Sequence, residues 1–131
     1  MNNTEFKQAV IAAVDKVIEQ GQLGRNGGGS CYYTMTTADG KEICCPVGHM
    51  MPSTETREEA ENHQVDGGSI GHISEQGFPW AQQFSAAQMC VLIKLQEVHD
   101  GMNFGNFINF KELINEEIVP MLDKLCSQES R

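Results

Sequence analysis

Cysteine and histidine are the side chains of this sequence best suited to chemistry, and several lie close together. They are Cys31, Cys44, Cys45, Cys90, Cys126, His49, His63, His72 and His99. A thiol beside an imidazole suits nucleophilic catalysis, in which His99 would be the general base for Cys31 or Cys45. Asp100 follows His99, but neighbours on a helix do not face each other, so we do not expect Asp100 to orient the ring. A histidine at a helix end also suits a structural role, which we favour.

The same residues raise the alternative of a zinc-stabilised module. Zinc takes about four nitrogen or sulfur ligands at the corners of a tetrahedron. Cys44 and Cys45 are adjacent, and adjacent residues of a strand point to opposite faces, so one ion cannot easily take both. The sequence contains no Cys-x-x-Cys pair, and free cysteine is among the most often buried residue types. We therefore expect buried thiols and predict neither a metal nor another cofactor.

A β-hairpin over residues 31–47 is predicted to position these cysteines. Its two halves are rich in aromatic and β-branched residues, which favour strands. Asp39-Gly40 between them favours a two-residue type I′ turn. That turn would pair Ala38 with Lys41, Thr36 with Ile43 and Thr34 with Cys45. In this register Cys31 and Cys45 lie on opposite faces, which argues against a disulfide between them and weakens the metal and catalytic interpretations.

Helices are predicted on both sides of the hairpin, because apolar residues recur there at helical spacing. The predicted order is a helix over 1–21, a glycine-rich loop over 22–30, the hairpin, an irregular region with short helices over 48–84, a helix over 85–100 and a helix over 109–126 that is kinked near Pro120. Capping boxes are predicted at Asn2 with Glu5, at Ser85 with Gln88 and at Asn109 with Glu112. The predicted fold class is α+β, a short antiparallel hairpin packed against an N-terminal helix and two or three C-terminal helices in a single domain, 1–131.

The charge balance excludes some classes of partner. The chain has 9 Lys and Arg against 18 Asp and Glu, a formal net charge of -9. Nucleic-acid binders neutralise phosphates with basic residues, so we do not expect a nucleic acid or an anionic membrane as the partner. No apolar run approaches the roughly 20 residues that span a bilayer, and residues 1–5 lack the basic start of a signal peptide. The expected location is the cytoplasm, where cysteines remain thiols.

Two groups of residues are candidates for binding another protein. They are the acidic Glu58, Glu59 and Glu61, and the apolar Met50, Phe78 and Trp80. The acidic run is either a solvated helix face or a patch that docks on a basic protein surface. The apolar residues belong either to the core or, if exposed, to an interface. The leading hypothesis is a non-enzymatic protein-binding module, with the Cys/His enzyme and the zinc-stabilised module as alternatives.

Four short motifs resemble a group of small uncharacterised bacterial and phage proteins. The motifs are Cys31-x-Tyr33, Asp39-Gly40, Cys45-Pro46-Val47-Gly48-His49 and Leu95-Gln96-Glu97-Val98-His99-Asp100, within roughly residues 30–52 and 90–100. This chain has Pro46 where the group usually has a small residue. The resemblance implies a similar hairpin fold and a phage or mobile-element origin, and it implies no reaction. The partner would then be a host protein that this one inhibits or modulates in the host cytoplasm.

Overall fold

A computed structural model describes residues 1–22, 24, 33–62, 70–100 and 109–129. Its elements are α1 Asn3–Gln20, β1 Met35–Thr36, β2 Glu42–Ile43, α2 Pro46–Met50, α3 Thr54–Asn62, α4 Ile70–Glu75, a 3₁₀ helix Pro79–Gln83, α5 Ala86–Asp100, α6 Phe110–Leu113, a π-helical turn Ile114–Ile118 and α7 Val119–Glu129. The fold is small, mostly helical and α+β, with a two-stranded antiparallel sheet, which confirms the predicted class. The predictions for Cys31 and for most of the glycine-rich loop 22–30 lie outside the described residues.

Helix α1 begins and ends where its sequence predicts. The Asn2 side chain accepts the N–H of Glu5 at 2.8 Å, and the Glu5 carboxylate accepts the N–H of Asn2 at 3.3 Å, which completes the capping box. Gly21 ends the helix in the left-handed conformation, with φ 81°. The buried face of α1 consists of Phe6, Val10, Ala13, Val14, Val17 and Gln20. Helix α1 packs against α2 and α7.

The register of the hairpin differs from the prediction. Thr36 faces Glu42 rather than Ile43, so the pairing is shifted by one residue. The N–H of Thr37 donates to the carbonyl of Lys41 at 2.8 Å, and that of Gly40 donates to the carbonyl of Thr37 at 2.9 Å. These bonds close a three-residue loop with a left-handed Gly40, φ 86°, the second common way to connect a hairpin. The predicted two-residue turn is therefore wrong.

The second strand is also shorter than predicted, because Cys45 begins a helix. The Cys45 thiol accepts the N–H of Gly48 at 3.4 Å and caps α2. Pro46 occupies the first turn of α2, where the donor that proline lacks would have had no partner in the helix. The assignment of Cys45 to one face of a strand is consequently wrong, and the separation of Cys31 from Cys45 cannot be argued from it.

The region 48–84 contains the short helices that were predicted there. Helix α3 follows Ser53, whose hydroxyl accepts the N–H of Thr56 at 3.2 Å. Pro79 and Trp80 open the 3₁₀ helix. Proline favours such a start, since its fixed φ suits a helical first turn.

The C-terminal helices follow the local prediction at Ser85 and depart from the one at Asn109. The capping box is present at Ser85, which accepts the N–H of Gln88 at 3.1 Å while the Gln88 amide oxygen accepts the N–H of Ser85 at 3.0 Å. Asn109 makes no side-chain capping bond. The helix does not stop at Pro120, because the N–H of Val119 bonds back to the carbonyl of Ile114 in the π-helical turn. The irregularity expected near Pro120 takes this form, which absorbs the proline without ending the helix.

The core lies between the helices rather than on the sheet. Its largest side chains are Phe6, Tyr33, Phe78 and Phe110, all buried. Helix α5 contacts α2, α4, α6 and α7 and is the central element of this packing. None of the described helices is both long enough and apolar enough to cross a membrane.

Candidate functional site

His99, the candidate general base, is a buried structural residue. Its exposed fraction is 0%, its Nε2 accepts the N–H of Gly24 at 3.0 Å, and its Nδ1 lies 2.9 Å from Oδ1 of Asp100. A neutral ring protonated at Nδ1 satisfies both bonds, so neither nitrogen is left to take a proton from a substrate. The expectation that Asp100 would not orient the ring is wrong. Asp100 is the last residue of α5, and its carboxylate turns back to the imidazole.

Cys45 is equally unsuited to be the nucleophile proposed for it. The residue is buried, and burial raises the pKa of its thiol, with the carboxylates of Asp100 and Glu61 acting in the same direction. The thiolate is the reactive form of cysteine, so a thiol with a raised pKa is inert. Within the described part of the chain, no group of three or more His, Cys, Asp or Glu residues is placed to hold a metal ion.

Gln20 forms the centre of a buried polar network that the sequence does not indicate. Its amide oxygen accepts the N–H of Cys44 at 3.1 Å and faces Nε2 of His49 at 2.8 Å. Its amide nitrogen donates to the carbonyls of Gln22 at 2.7 Å and of Cys44 at 2.9 Å. These four bonds use both donors and both acceptor sites of the amide. The network joins the end of α1 to the exit of the hairpin and to α2.

The position of His49 in this network makes stability depend on pH. Burial, together with the positive charge of Arg57, lowers the pKa of His49 from 6.5 to about 4. The folded protein therefore takes up this proton later than the unfolded chain as the pH falls. The resulting stability is complete above about pH 6.5 and is lost between about pH 6.5 and 4. Because the ring is only half-buried, we expect a loss of roughly 1–2 kcal/mol from this residue.

The contribution of His49 can be isolated by comparing the wild type with His49→Gln in urea unfolding at several pH values. Glutamine retains a donor for the Gln20 amide and does not titrate. The raised pKa of Glu61 acts in the opposite direction and is common to both proteins. The wild type should lose more stability than the variant on acidification, and equal losses would contradict the assignment.

An open groove of about 410 Å³ lies between β1 and α3. It is lined by Thr34, Met35, Thr36, Glu42, Thr54, Glu58, Glu61 and Asn62. Glu58 is exposed. Glu42 is partly neutralised by Arg57, whose Nη1 lies 3.1 Å from its carboxylate. The groove is therefore a polar and acidic concavity, and its volume falls within the range of about 300–1,000 Å³ typical of ligand sites.

Glu61 forms part of one wall of this groove, and its carboxylate is held by hydrogen bonds rather than extended into solvent. Its Oε1 accepts the N–H of Tyr33 and, at 3.2 Å, the N–H of Thr34, so it ties α3 to the start of β1. Burial raises the pKa of this carboxyl, and the two backbone donors oppose that rise. The Tyr33 hydroxyl accepts a bond from Gln96 at 3.1 Å, which holds the same segment against α5.

The structure separates the other predicted binding residues. Glu59 is exposed on α3 but does not line the groove. Phe78 is buried in the core, so its assignment to a docking surface is wrong. Met50 and Trp80 are half-buried and pack on the core. The ring centroids of Trp80 and Phe84 are 5.0 Å apart. In the described part of the chain, Met1 is the one large hydrophobic residue that is exposed.

The geometry thus brings Glu58 and Glu61 to one groove and makes His99 and Cys45 structural groups, while Cys31 lies outside the described residues. Sequence reasoning missed Thr34 and Thr36, which form the opposite wall. The only local signal for them was a threonine-rich strand, and nothing local places that strand beside α3. Comparison with protein-family models, with curated proteins and with solved structures found no match.

Proposed function

We propose that this protein is a non-enzymatic protein-binding module and that the groove between β1 and α3 is its docking site. The observation that carries the proposal is the groove itself, an open concavity with three glutamates along its walls. Such a site suits a partner segment that carries lysine or arginine. If the gene belongs to a phage or mobile element, the partner is a host protein whose basic surface the module covers and thereby inhibits.

Charge supports the same class of partner. The net charge of -9 attracts a basic surface and speeds the encounter, while it repels nucleic acids and anionic membranes. The enzyme alternative lacks a usable base, because both ring nitrogens of His99 are occupied. It also lacks an activated thiol at Cys45, where burial raises the pKa.

Glu58→Gln tests the docking site, and Glu59→Gln is its matched control. Both residues are exposed on α3, but only Glu58 lines the groove. An exposed charge pair contributes about 0.2–1 kcal/mol, so Glu58→Gln should weaken binding of the partner up to about fivefold. Glu59→Gln removes the same charge from the protein and should leave the affinity nearly unchanged.

The measurement is affinity purification of the full chain from a bacterial lysate, followed by titration of the recovered partner with the three proteins. The partner's contacting segment should be basic, and the effect of Glu58→Gln should shrink as salt is added. Recovery of no specific partner would contradict the proposal, as would equal affinities of the two variants.

A further inference from the structure

Strand β1 has an outer edge whose backbone groups point away from β2. In an antiparallel ladder, hydrogen-bonded and non-hydrogen-bonded pairs alternate. The N–H of Thr37 bonds to Lys41, so the pair Thr36 and Glu42 is of the non-hydrogen-bonded kind. The N–H and C=O of Thr36 therefore face outward. Thr36 is exposed, and no backbone hydrogen bond joins its outer side to another residue in the described ranges.

This outer edge borders the groove. Tyr33 and Thr34 lie immediately before β1 and are not part of its pairing with β2. The N–H of Thr34 donates to Glu61 of α3 at 3.2 Å. The same carboxylate also accepts the N–H of Tyr33, so α3 satisfies the backbone donors just before the strand. Thr36 lines the groove, and in the described ranges its outward N–H and C=O have no such partner.

We infer that the partner segment binds in an extended conformation as a third strand on the outer edge of β1, pairing with Thr36 and directing basic side chains toward Glu58. The inference rests on the function proposed above and specifies how the groove is used. Addition of a strand to an exposed edge supplies backbone hydrogen bonds, and the side chains supply the selectivity. Here the selectivity is for lysine or arginine, because the carboxylates of Glu58 and Glu61 line the groove.

In an extended peptide the side chains and the N–H groups both alternate in direction, so strand addition can be tested apart from the charge contacts. Successive side chains of a strand point to opposite faces, and successive N–H groups point to opposite edges. A basic side chain that must face the carboxylates fixes which N–H groups turn toward β1. Blocking that set of amides should prevent binding, whereas blocking the other set should not.

The experiment uses an acetylated peptide of about ten residues in which lysine and threonine alternate. It is made in three forms: unmodified, methylated on the backbone nitrogen of every lysine, and methylated on the backbone nitrogen of every threonine. Each is titrated into isotope-labelled full-length protein, and the amide shifts of Thr34, Thr36 and Glu58 are followed. Glu58→Gln and Glu59→Gln proteins are titrated with the unmodified peptide as controls for the site.

We expect the unmodified peptide to shift the amide of Thr36 and to bind Glu58→Gln more weakly than Glu59→Gln. One methylated peptide should bind at least tenfold more weakly than the other, since a blocked edge loses its hydrogen bonds. If the unmodified peptide shows the dependence on Glu58 but the two methylated forms bind equally, strand addition is overturned and the docking groove stands. If the unmodified peptide does not bind, or binds the two variants equally, both the inference and the proposed docking site are overturned.

Discussion

Gly48→Ala is expected to destabilise the protein by about 3 kcal/mol or more, which is a large part of the stability of a small domain. A Cβ at this position would lie 2.1 Å from the carbonyl oxygen of Tyr33 and 2.9 Å from its carbonyl carbon. The obstructing atoms are backbone, so no change of rotamer can relieve the clash. Tyr33 cannot move easily, because its ring is buried and its N–H is bound by Glu61. Alanine favours a helix over glycine by about 1 kcal/mol, a gain that is too small to compensate.

Urea unfolding of Gly48→Ala checks this prediction, with Gly77→Ala as the control. Gly77 has φ 88° and nothing within 4 Å of a Cβ, so alanine there suffers backbone strain without a clash. That strain costs about 1–2 kcal/mol. If the free energy of unfolding of Gly48→Ala is within about 0.5 kcal/mol of that of the wild type, the backbone of Tyr33 does not pass so close to Gly48.

His99→Leu is expected to destabilise the protein by roughly 2–4 kcal/mol. Leucine fills a similar volume but cannot accept the N–H of Gly24, which bonds to Nε2 of the buried ring at 3.0 Å. A buried donor without a partner costs about 1–3 kcal/mol. Gly24 has little room to shift on the side of the hairpin, because a Cβ on it would come within 2.4 Å of the backbone nitrogen of Cys45. The lost bond to Asp100 adds a smaller amount.

His99→Gln is the matched variant, since its amide oxygen can still accept the Gly24 bond. It should retain part of the stability that His99→Leu loses, as measured by thermal and urea unfolding. Binding of the partner should persist in both variants wherever they are folded. A His99→Leu protein with wild-type stability would contradict the structural role and revive the catalytic interpretation.

The sequence predicts well the features that depend on a few neighbouring residues. The capping boxes at Asn2 and Ser85 are of this kind, because a side chain reaches a backbone group only three residues away. The turn at Asp39-Gly40 is also local, yet two loop lengths suit the same dipeptide, and the hydroxyl of Thr37 bonds to Asp39 and to Lys41 in the longer loop. The one-residue shift in register follows from that choice.

The helix at Pro46 was missed for a different reason. Cys45 was taken as a strand residue, and a cysteine is an unusual helix cap, since its sulfur is a weak acceptor. The groove could not be predicted from the sequence. Its two walls meet through Thr34 and Glu61, which are 27 residues apart. Only the folding of α3 back on the hairpin brings them together, and no periodicity in either segment encodes that contact.

The amide of Gln20 has a further consequence for how this chain can vary. It joins the end of α1 to Cys44, which lies 24 residues further along. Its hydrogen bonds thus close a noncovalent loop that contains the glycine-rich stretch and the hairpin. The entropy lost on closing such a loop rises only with the logarithm of its length. Doubling the length of the whole loop would therefore add about 0.6 kcal/mol to the cost of closing it. Insertions between residues 25 and 32, which avoid Gly24 and Tyr33, should therefore be tolerated far better than a change of the glutamine that closes the loop.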